Sequence, residues 1–585
     1  MHSLLTTLLT MLLIVFFSGQ MFAAEPVAVR VEGIEDDPLK NVEAALALPP
    51  GLIKDGRVDR LWLEHFIRQA ENRVKEALEP FGYYAPQVVT SLESNEETEY
   101  LLLVKVNAGE QVRISEVKVE LEGSGSQEEP LLEKVAAFPL TVGEHLLHDL
   151  YEKGKDDILV AARELGYLDA VFSVHEIRVD PPSASATIHL VMMSGSRYLF
   201  GASKIVGATY YPEELLQRYI TFSPGEPFSD MVLGETQRNF AGSPYFKSVA
   251  VIPDKGAATE FRVPVVIRVV PAPRRTIRPG IGYGTDTGFR GSVAYKDLSL
   301  FYPGHTLNGE LTFAQTLQGI GVAYSIPSKK NLETMSTVQL NLQREEVNDT
   351  LSRVEALEFN RSRGFGDKML GTAFIRAQYE DYTAGMENSS SFLLLPGLRF
   401  SQHSSDDMIR PTLAYHYQLE TRGTHQALGS DAGFIQFLAE GGGIVSLPWR
   451  LSLSGRSKLG ATFLDDPFAV LPTSLRFFAG GDNSVRGYSY KSLGPKDASG
   501  KVIGGRYLLQ GSAELERALF DKWGLSVFYD TGNAFDSFSD LRFYRGAGVG
   551  IHYYTQIGAV NLGVARQLNV AKPRYMVHFS IGFQL

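Results

Sequence analysis

The chain has 585 residues, of which 44% are hydrophobic and 21% charged, and its formal net charge is −11. A chain of this length is expected to hold three or four domains. The negative charge gives no support for nucleic-acid binding, which requires a basic face. The absence of cysteine excludes a disulfide framework and thiol chemistry.

The first segment has the features of a secretory signal. An apolar run covers residues 3–17, and the small pair Ala23-Ala24 follows it, with the acidic Glu25 just beyond. The run is nearer fifteen residues than the roughly twenty that span a bilayer, which disfavours a membrane anchor. We therefore predict a signal peptide over residues 1–24, cleaved near Ala24.

Residues 25–273 contain a unit that recurs three times at a spacing of about eighty residues, the size of a small domain. In each copy an amphipathic helix ends at a Gly or Pro turn, and an aromatic residue then leads into a strand. These turns are Phe81-Gly82-Tyr83, Gly166-Tyr167 and Pro244-Tyr245. The pattern predicts α+β units, each with one strand, two helices and two further strands. Gly82 and Gly166 are interpreted as helix C-caps beside core aromatics.

Residues 274–585 show a repeated alternation of apolar and polar residues. Four of the clearest alternating segments are 307–313, 338–343, 560–565 and 577–585. Nothing after residue 24 is long and apolar enough for a spanning helix, so a membrane-spanning part must be a closed barrel. Segments bounded by turn residues number about sixteen, which is within the range of bacterial barrels. An even number returns the C-terminus to the side where the chain enters.

The longest irregular stretch of this half, about forty residues, separates alternating segments at 451–459 and 504–516. Loops of that length are usually functional or disordered. Its centre reads Val485-Arg486-Gly487-Tyr488. Two further motifs stand behind it: Gly504-Gly505 with Glu514 and Glu516, and then Phe528-Tyr529-Asp530-Thr531-Gly532. Asp530 lies on the strand face opposite Tyr529 and is predicted to point into the lumen.

These three motifs, in this order, resemble the Omp85 family of outer-membrane barrels, which insert or export other proteins. Val485 to Tyr488 is similar to the signature of the sixth extracellular loop of that family. In the family, an acidic residue on a later strand receives the loop arginine. The resemblance therefore implies that Arg486 pairs with Asp530, and that Glu514, Glu516 and Gly532 belong to the same lumen site.

The repeated α+β unit resembles the POTRA domain of Omp85 proteins, and three such units on a chain of this length resemble the TamA branch of the family. The fold expected is thus three periplasmic α+β POTRA domains followed by a 16-stranded antiparallel transmembrane β-barrel. The predicted limits are 25–106, 107–193 and 194–273 for the POTRA domains and 274–585 for the barrel.

The resemblance also implies a role and a place. The protein is expected in the bacterial outer membrane, with its POTRA domains in the periplasm, where it assists insertion or secretion of outer-membrane clients such as autotransporters. The partner implied is a TamB-like protein anchored in the inner membrane, and a part in lipid traffic is also implied. Small sheets of this kind leave edge strands that accept a partner strand, but the sequence does not say which edge.

The first and last barrel strands must pair to close the barrel, and both contain glycine. Gly280, Gly282 and Gly284 alternate through the first strand. The last strand carries Phe579, Ile581, Gly582 and Phe583. Glycine weakens a strand because it removes packing and raises the entropic cost of order. We predict a weak seam that opens sideways to lipid, with a simple bend or a close approach by the loop as the alternative.

Other chemistry is not supported by the sequence. His145 and His148 are three residues apart, but no third metal ligand is near them in the sequence, and surface histidines are the default. We therefore expect no metal, no cofactor and no catalytic residues. The alternatives left open are a two-partner-secretion-type transporter and a substrate-specific channel. A membrane-embedded hydrolase would need a nucleophile with a base, and no such arrangement is evident.

Overall fold

The structure is a computed structural model. It describes residues 26–54, 57–93, 100–329, 331–348, 350–366, 368–407, 410–464, 471–555 and 558–582. The predicted signal peptide and Phe583 lie outside the described residues.

The first part of the chain forms three small α+β units in succession, as the sequence predicts. The first holds β1 Val27–Glu32, α1 Asp36–Ala45, β2 Ile53–Lys54, β3 Arg57–Val58, α2 Arg60–Leu78, β4 Gln87–Glu93 and β5 Tyr100–Asn107. The second holds β6 Arg113–Glu122, α3 Glu129–Ala136, α4 His148–Glu164, β7 Val171–Asp180 and β8 Ser185–Met193. The third holds β9 Leu199–Val206, α5 Glu213–Gln217, α6 Asp230–Ala241, β10 Phe246–Pro253 and β11 Arg262–Pro271.

In each unit the last strand lies in the middle of a three-stranded sheet, with orders β1-β5-β4, β6-β8-β7 and β9-β11-β10. The middle strand runs parallel to the first strand of its unit. Each sheet therefore has two edge strands. The domain limits given above remain a prediction.

The helices are placed by caps and by apolar residues at helical spacing. Asp59 caps α2, since its carboxylate accepts hydrogen bonds from the main-chain N–H groups of Leu61 and Trp62. Further along α2, Phe66 and Val74 are buried and pack in one core. Full burial of such side chains stabilises each of them by about 1.5–3 kcal/mol. This core stabilises the first unit.

The joints between successive units repeat one design. The carbonyl oxygen of Gly82 accepts the N–H of Val112 at 2.9 Å, and that of Gly166 accepts the N–H of Tyr198 at 2.7 Å. Both glycines adopt positive φ, 83° and 95°. A Cβ at Gly166 would lie 2.5 Å from the carbonyl oxygen of Tyr198. The two glycines are therefore the contact surface for the next unit as well as helix caps.

A tyrosine strengthens the first joint. The Tyr84 hydroxyl lies 2.6 Å from His148 Nε2 at the start of α4. Burial raises the pKa of Tyr84 to about 12. The hydroxyl therefore stays protonated at neutral pH and shares a hydrogen bond with the imidazole nitrogen across the joint.

The second part of the chain is a closed barrel of sixteen strands in sequence order, which confirms the predicted fold class. The strands are β12 Arg275–Gly284, β13 Gly288–Asp297, β14 Thr306–Ala314, β15 Leu317–Pro327, β16 Thr334–Val347, β17 Thr350–Phe365, β18 Met369–Ala384, β19 Glu387–Ser405, β20 Leu413–Thr424, β21 Phe434–Leu447, β22 Leu451–Leu464, β23 Tyr507–Phe520, β24 Trp523–Phe535, β25 Tyr544–Thr555, β26 Gly558–Leu568 and β27 Tyr575–Gly582. Neighbouring strands are antiparallel.

The alternating pattern separates the two faces of the wall. Val338 and Leu340 on β16 are each 42% exposed on the outer face, whereas Glu358 on β17 and Gln378 on β18 are buried inside. Arg376 joins this inner surface through a 2.6 Å hydrogen bond to Glu358. An apolar outside and a polar inside are what a barrel in lipid requires.

Two segments of the third unit group with the barrel in one compact unit, namely residues 207–219 and 243–248. The Tyr245 hydroxyl donates to the carbonyl oxygen of Gly304 at 2.5 Å, and Arg218 donates to that of Ser328 at the same distance. Both carbonyls belong to turns on the side where the chain enters the barrel. Among the helices of the described chain, none has the length and apolarity needed to cross a membrane.

Candidate functional site in the barrel lumen

The connection between β22 and β23, here called loop 6, is described over residues 471–506. It packs against the inner wall of the barrel. Val485 is fully buried and lies in one apolar cluster with Tyr488, Phe477 and Leu508. On the opposite wall, Lys491 reaches Glu345 on β16 at 2.7 Å. Loop 6 is thus held from several directions inside the bore.

Arg486 binds two acidic residues at once. Its Nε lies 2.7 Å from Asp530 Oδ2 and its Nη2 2.9 Å from Asp530 Oδ1, so the guanidinium and the carboxylate meet through two parallel hydrogen bonds. Its Nη1 donates to Glu514 Oε2 at 2.6 Å. The main-chain N–H of Arg486 also donates to Asp530, at 3.0 Å. Paired, charge-assisted hydrogen bonds of this kind are the strongest available to an arginine.

Strand alternation explains why these acids converge. Ser512 and Glu514 are two residues apart on β23 and share its inner face, while Asp530 stands opposite Ser512 on β24. The Ser512 hydroxyl donates to Asp530 at 2.6 Å, and the Asp530 side chain has no exposed surface. The Phe528 ring lies under the guanidinium, with its centroid 3.4 Å from the central carbon. A buried cation is therefore fully compensated.

The neighbours of Arg486 fix the loop to the last strands. The Gly487 N–H donates to His578 Nε2 at 2.8 Å, and its carbonyl oxygen accepts from Gln567 at 2.7 Å. The Tyr488 hydroxyl donates to the carbonyl oxygen of Leu568 at 3.3 Å, and its ring meets that of Tyr544 edge-on. With the contacts of Arg486 included, the four-residue motif thus contacts β23 through β27.

Two of the residues expected in this site lie beside it. Glu516 accepts a hydrogen bond from Tyr554 at 2.7 Å and lies 3.6 Å from Arg410, so it belongs to a second cluster. Glu516 lies two residues beyond Glu514 on β23, a distance of about 6.6 Å along the strand. The Glu516 carboxylate is therefore out of reach of Arg486. Gly532 packs against Gln510, which in turn accepts from the Ser484 hydroxyl at 2.8 Å. Its contribution is room for the loop rather than a polar contact.

The seam between β12 and β27 has few register pairs in the part of the chain that the structure describes. Within the described residues, the two strands pair at Tyr283–Ile581 and Gly284–Ser580. By contrast, the ladder between β12 and β13 runs from Arg275–Asp297 to Gly284–Gly288. Further hydrogen bonds cross the seam. The Thr285 N–H donates to the carbonyl oxygen of Phe579 at 3.0 Å, and the Thr285 hydroxyl accepts the N–H of Phe579 at 2.7 Å. Arg290 on β13 donates to the carbonyl oxygen of Ile581 at 2.8 Å.

The glycines of the first strand face the lumen. Ile281 is 94% exposed on the outer face, so its alternating neighbours Gly280 and Gly282 point inward. Gly284 faces the same way and pairs with Ser580, whereas Gly582 pairs with Ala559 on β26. Side chains of the first hairpin cover this face instead, since a Cβ at Gly280 would meet Ser292 and a Cβ at Gly282 would meet Arg290.

Sequence reasoning missed several residues that complete the site. Asp482 bonds His578, and His552 lies 2.9 Å from Glu514. His578 alternates with apolar residues in the last strand, and that signal was sufficient to place it on the inner face. Asp482 is one polar loop residue among many, and no local pattern distinguishes it. Within the described ranges, no group of His, Cys, Asp and Glu has the geometry of a metal site.

Comparison with known proteins adds the family. A family model described as the Omp85 superfamily domain matches residues 281–585, which is 305 of the 585 residues. The chain belongs to the Omp85 superfamily. A second model, described as POTRA domain TamA domain 1, matches residues 28–108, so the first repeat of this Omp85 protein is a TamA-type POTRA domain. The barrel lies in the outer membrane and the POTRA domains in the periplasm.

Individual relatives are distant. The outer membrane protein assembly factor BamA of Nitratidesulfovibrio vulgaris is 22% identical over 346 residues, which are 56% of this chain and 43% of that protein. The match thus covers less than half of the relative. The structure of BamA from Haemophilus ducreyi lacking POTRA domains 1–3 is 14% identical, with a TM-score of 0.64 over 80% of this chain and 99% of that one. This likeness shows the Omp85 fold alone.

CdiB from Escherichia coli is also similar in structure. It is 14% identical, with a TM-score of 0.49 over 91% of this chain and 98% of that chain.

Proposed function

We propose that this protein inserts or exports outer-membrane client proteins, autotransporters among them, through the seam between β12 and β27. A TamB-like protein anchored in the inner membrane would work with it by binding the POTRA domains. Membership of the Omp85 superfamily supports the class of activity, and the TamA-type first domain supports the choice of partner.

The observation that carries the proposal is the difference between the seam and the other ladders. In an antiparallel ladder every second residue pair exchanges two backbone hydrogen bonds. Each such bond contributes about 0.5–1.5 kcal/mol net. In the described chain the seam has two register pairs, whereas β26 and β27 pair from Ala559–Gly582 to Arg566–Tyr575. The barrel is therefore expected to open at the seam before it opens elsewhere.

An opened seam offers a template. Separation of the two strands exposes a row of main-chain N–H and C=O groups on β12, and a client strand satisfies them by pairing. Lipid cannot do so, because it has no groups that form such hydrogen bonds. The lumen-facing glycines Gly280 and Gly282 add no side chains of their own to the inner side of this strand.

The test is a disulfide that locks the seam. The chain has no cysteine, so Gly284→Cys with Ser580→Cys gives a unique crosslink across the seam. The matched control keeps Ser580→Cys and adds Asn561→Cys, its partner in the ladder between β26 and β27. Insertion of an autotransporter client is expected to stop in the oxidised seam variant, to return after reduction and to persist in the control. Full insertion by a completely oxidised seam variant would refute the proposal.

The partner is expected at an edge strand of the first POTRA domain. On β4, Val89 is 66% exposed and Leu92 46% exposed, and β4 is an edge of its sheet. An exposed edge with apolar side chains is suited to strand addition by a partner. The full-length protein with Val89→Lys and Leu92→Lys should lose co-purification with the TamB-like partner. Val171→Lys, which alters an exposed residue at the edge of the second sheet, is the control.

A further inference from the structure

One loop residue touches both strand ends that meet at the seam. Asp482 in loop 6 donates its main-chain N–H to Asp286 Oδ2 at 2.6 Å, and Asp286 lies in the turn between β12 and β13. The carboxylate of Asp482 pairs with His578 Nδ1 on β27. Asp482 of loop 6 thus connects the β12–β13 hairpin to the last strand, β27.

The hydrogen bonds define the state of His578. Its Nε2 accepts the N–H of Gly487 at 2.8 Å, so that nitrogen carries no proton. The proton must then sit on Nδ1, where it donates to the carboxylate of Asp482. The His578 side chain is 6% exposed and that of Asp482 18%. Both ring nitrogens of a buried neutral imidazole are therefore satisfied by loop 6.

Close approach at this point requires glycine. Gly481 precedes Asp482 and has a φ of 110°, a conformation that side chains rarely adopt. A Cβ on Gly481 would collide with the Asp286 carboxylate. The loop backbone is shaped to bring Asp482 against the first hairpin.

We propose that Asp482 and His578 form a latch that holds the seam closed, and that loop 6 must release His578 before β27 can leave β12. This inference rests on the proposed function, in which a client strand takes the place of β27. The latch adds hydrogen bonds to the two register pairs described for the seam, and so contributes to its closure. Its release couples the position of loop 6 to opening of the barrel wall.

The experiment measures the open population directly. The full-length protein is reconstituted in lipid nanodiscs with spin labels at Ile281→Cys and Val577→Cys, both on the outer face and exposed. Pulsed electron resonance then gives the distance distribution across the seam. Asp482→Ala and His578→Ala are compared with Asn483→Ala. Asn483 is the adjacent loop residue and accepts from Arg456 at 3.2 Å.

The open population should rise about two- to tenfold for each net hydrogen bond lost. His578→Ala should exceed Asp482→Ala, because it removes the bonds to both Asp482 and Gly487. The double variant should match His578→Ala alone, since the Asp482 carboxylate acts on β27 through His578. The Asn483→Ala protein should remain as closed as the parent.

Other outcomes would overturn the latch. An unchanged distribution in Asp482→Ala, or a shift equal to that of Asn483→Ala, contradicts it, as does an additive double variant. Asp482→Leu keeps the approximate size of the side chain, has no acceptor for the His578 Nδ1–H and serves if the alanine variant does not fold. If the latch variants open the seam and client insertion still proceeds through a disulfide-locked seam, the latch stands and the proposed function fails. If locking abolishes insertion and the latch variants stay closed, only the latch fails.

Discussion

Loop 6 is attached to the barrel at two places by different chemistry. At β23 and β24, Arg486 forms charge-assisted hydrogen bonds with Asp530 and Glu514, and the Asp530 side chain is fully buried. At the seam, the imidazole of His578 in its neutral state bonds Asp482 and the Gly487 N–H. Breaking a buried ion pair leaves an uncompensated charge, whereas a neutral imidazole can exchange its partners at lower cost.

The ion pairs of Arg486 are here called the anchor, in contrast to the latch of Asp482 and His578. The arginine end remains attached while the seam end exchanges, so the loop can release β27 without leaving the lumen. The seam itself is short in the described chain, which makes the second attachment matter more than the same bonds would elsewhere. Four predictions test this contrast, beginning with the largest effect.

Arg486→Ala should detach the anchor. Removal of one partner of a buried ion pair typically costs 3–5 kcal/mol, so a loss of about 4 kcal/mol is expected here. Unfolding in urea, followed by the heat-modifiable mobility of the barrel on gels, measures it. Arg486→Lys keeps the charge but loses the two-pronged geometry and should fall between the parent and the alanine variant. A lysine variant as unstable as alanine would show that charge contributes nothing to the anchor.

Glu514→Gln should weaken the anchor more than Glu516→Gln. Glu514 accepts directly from Arg486, and a hydrogen bond to a charged group contributes about 1.5–3 kcal/mol. Glu516 bonds Tyr554 instead, so its replacement should leave loop 6 in place. Protease accessibility of loop 6 in the intact outer membrane compares the two. Equal accessibility in both variants would contradict the distinction between the two clusters.

Gly546→Ala should displace the loop main chain. Gly546 lies on β25, and a Cβ there would collide with the carbonyl oxygen of Arg486. The expected loss of stability is about 1–3 kcal/mol, as for other overpacked sites. Gly563→Ala on β26 is the control, because its nearest neighbour would be 3.6 Å away. Equal melting temperatures for the two variants would mean that the loop yields freely at this point.

Thr285→Val should loosen the seam and leave the anchor intact. The Thr285 hydroxyl accepts the N–H of Phe579 at 2.7 Å, and its loss is expected to cost about 1 kcal/mol. The rate of disulfide formation between Gly284→Cys and Ser580→Cys reports closure, and it should fall. Thr287→Val in the same turn is the comparison. If loop protease accessibility also rose, the two attachments would not be independent.

The POTRA domains show which features the sequence patterns predict and which they do not. Gly82 and Gly166 were interpreted as helix caps, and their positive φ fits that role. Their carbonyl oxygens also accept hydrogen bonds from Val112 and Tyr198 at the start of the next unit. The sequence does not predict these two contacts, because they depend on how successive units pack. In the third copy Gly242 has a φ of −73° and ends its helix without the left-handed turn. The position of Gly82 and Gly166 before the aromatic residue is occupied by Pro244 in the third copy, and proline cannot adopt their positive φ.

The sequence by itself determined what is local and periodic. Alternation in residues 274–585 predicts strands with a lipid face and a lumen face, and the family resemblance of three ordered motifs implies that Arg486 pairs with Asp530. Tertiary structure decided the rest: the pairing of β12 with β27, the contact of Asp482 with both Asp286 and His578, and the separation of Glu516 from the arginine site. These depend on register between strands almost three hundred residues apart and on where a long loop comes to rest. Long-range packing determines the strand register and the position of the loop, and the local sequence around each residue contains no pattern that predicts them.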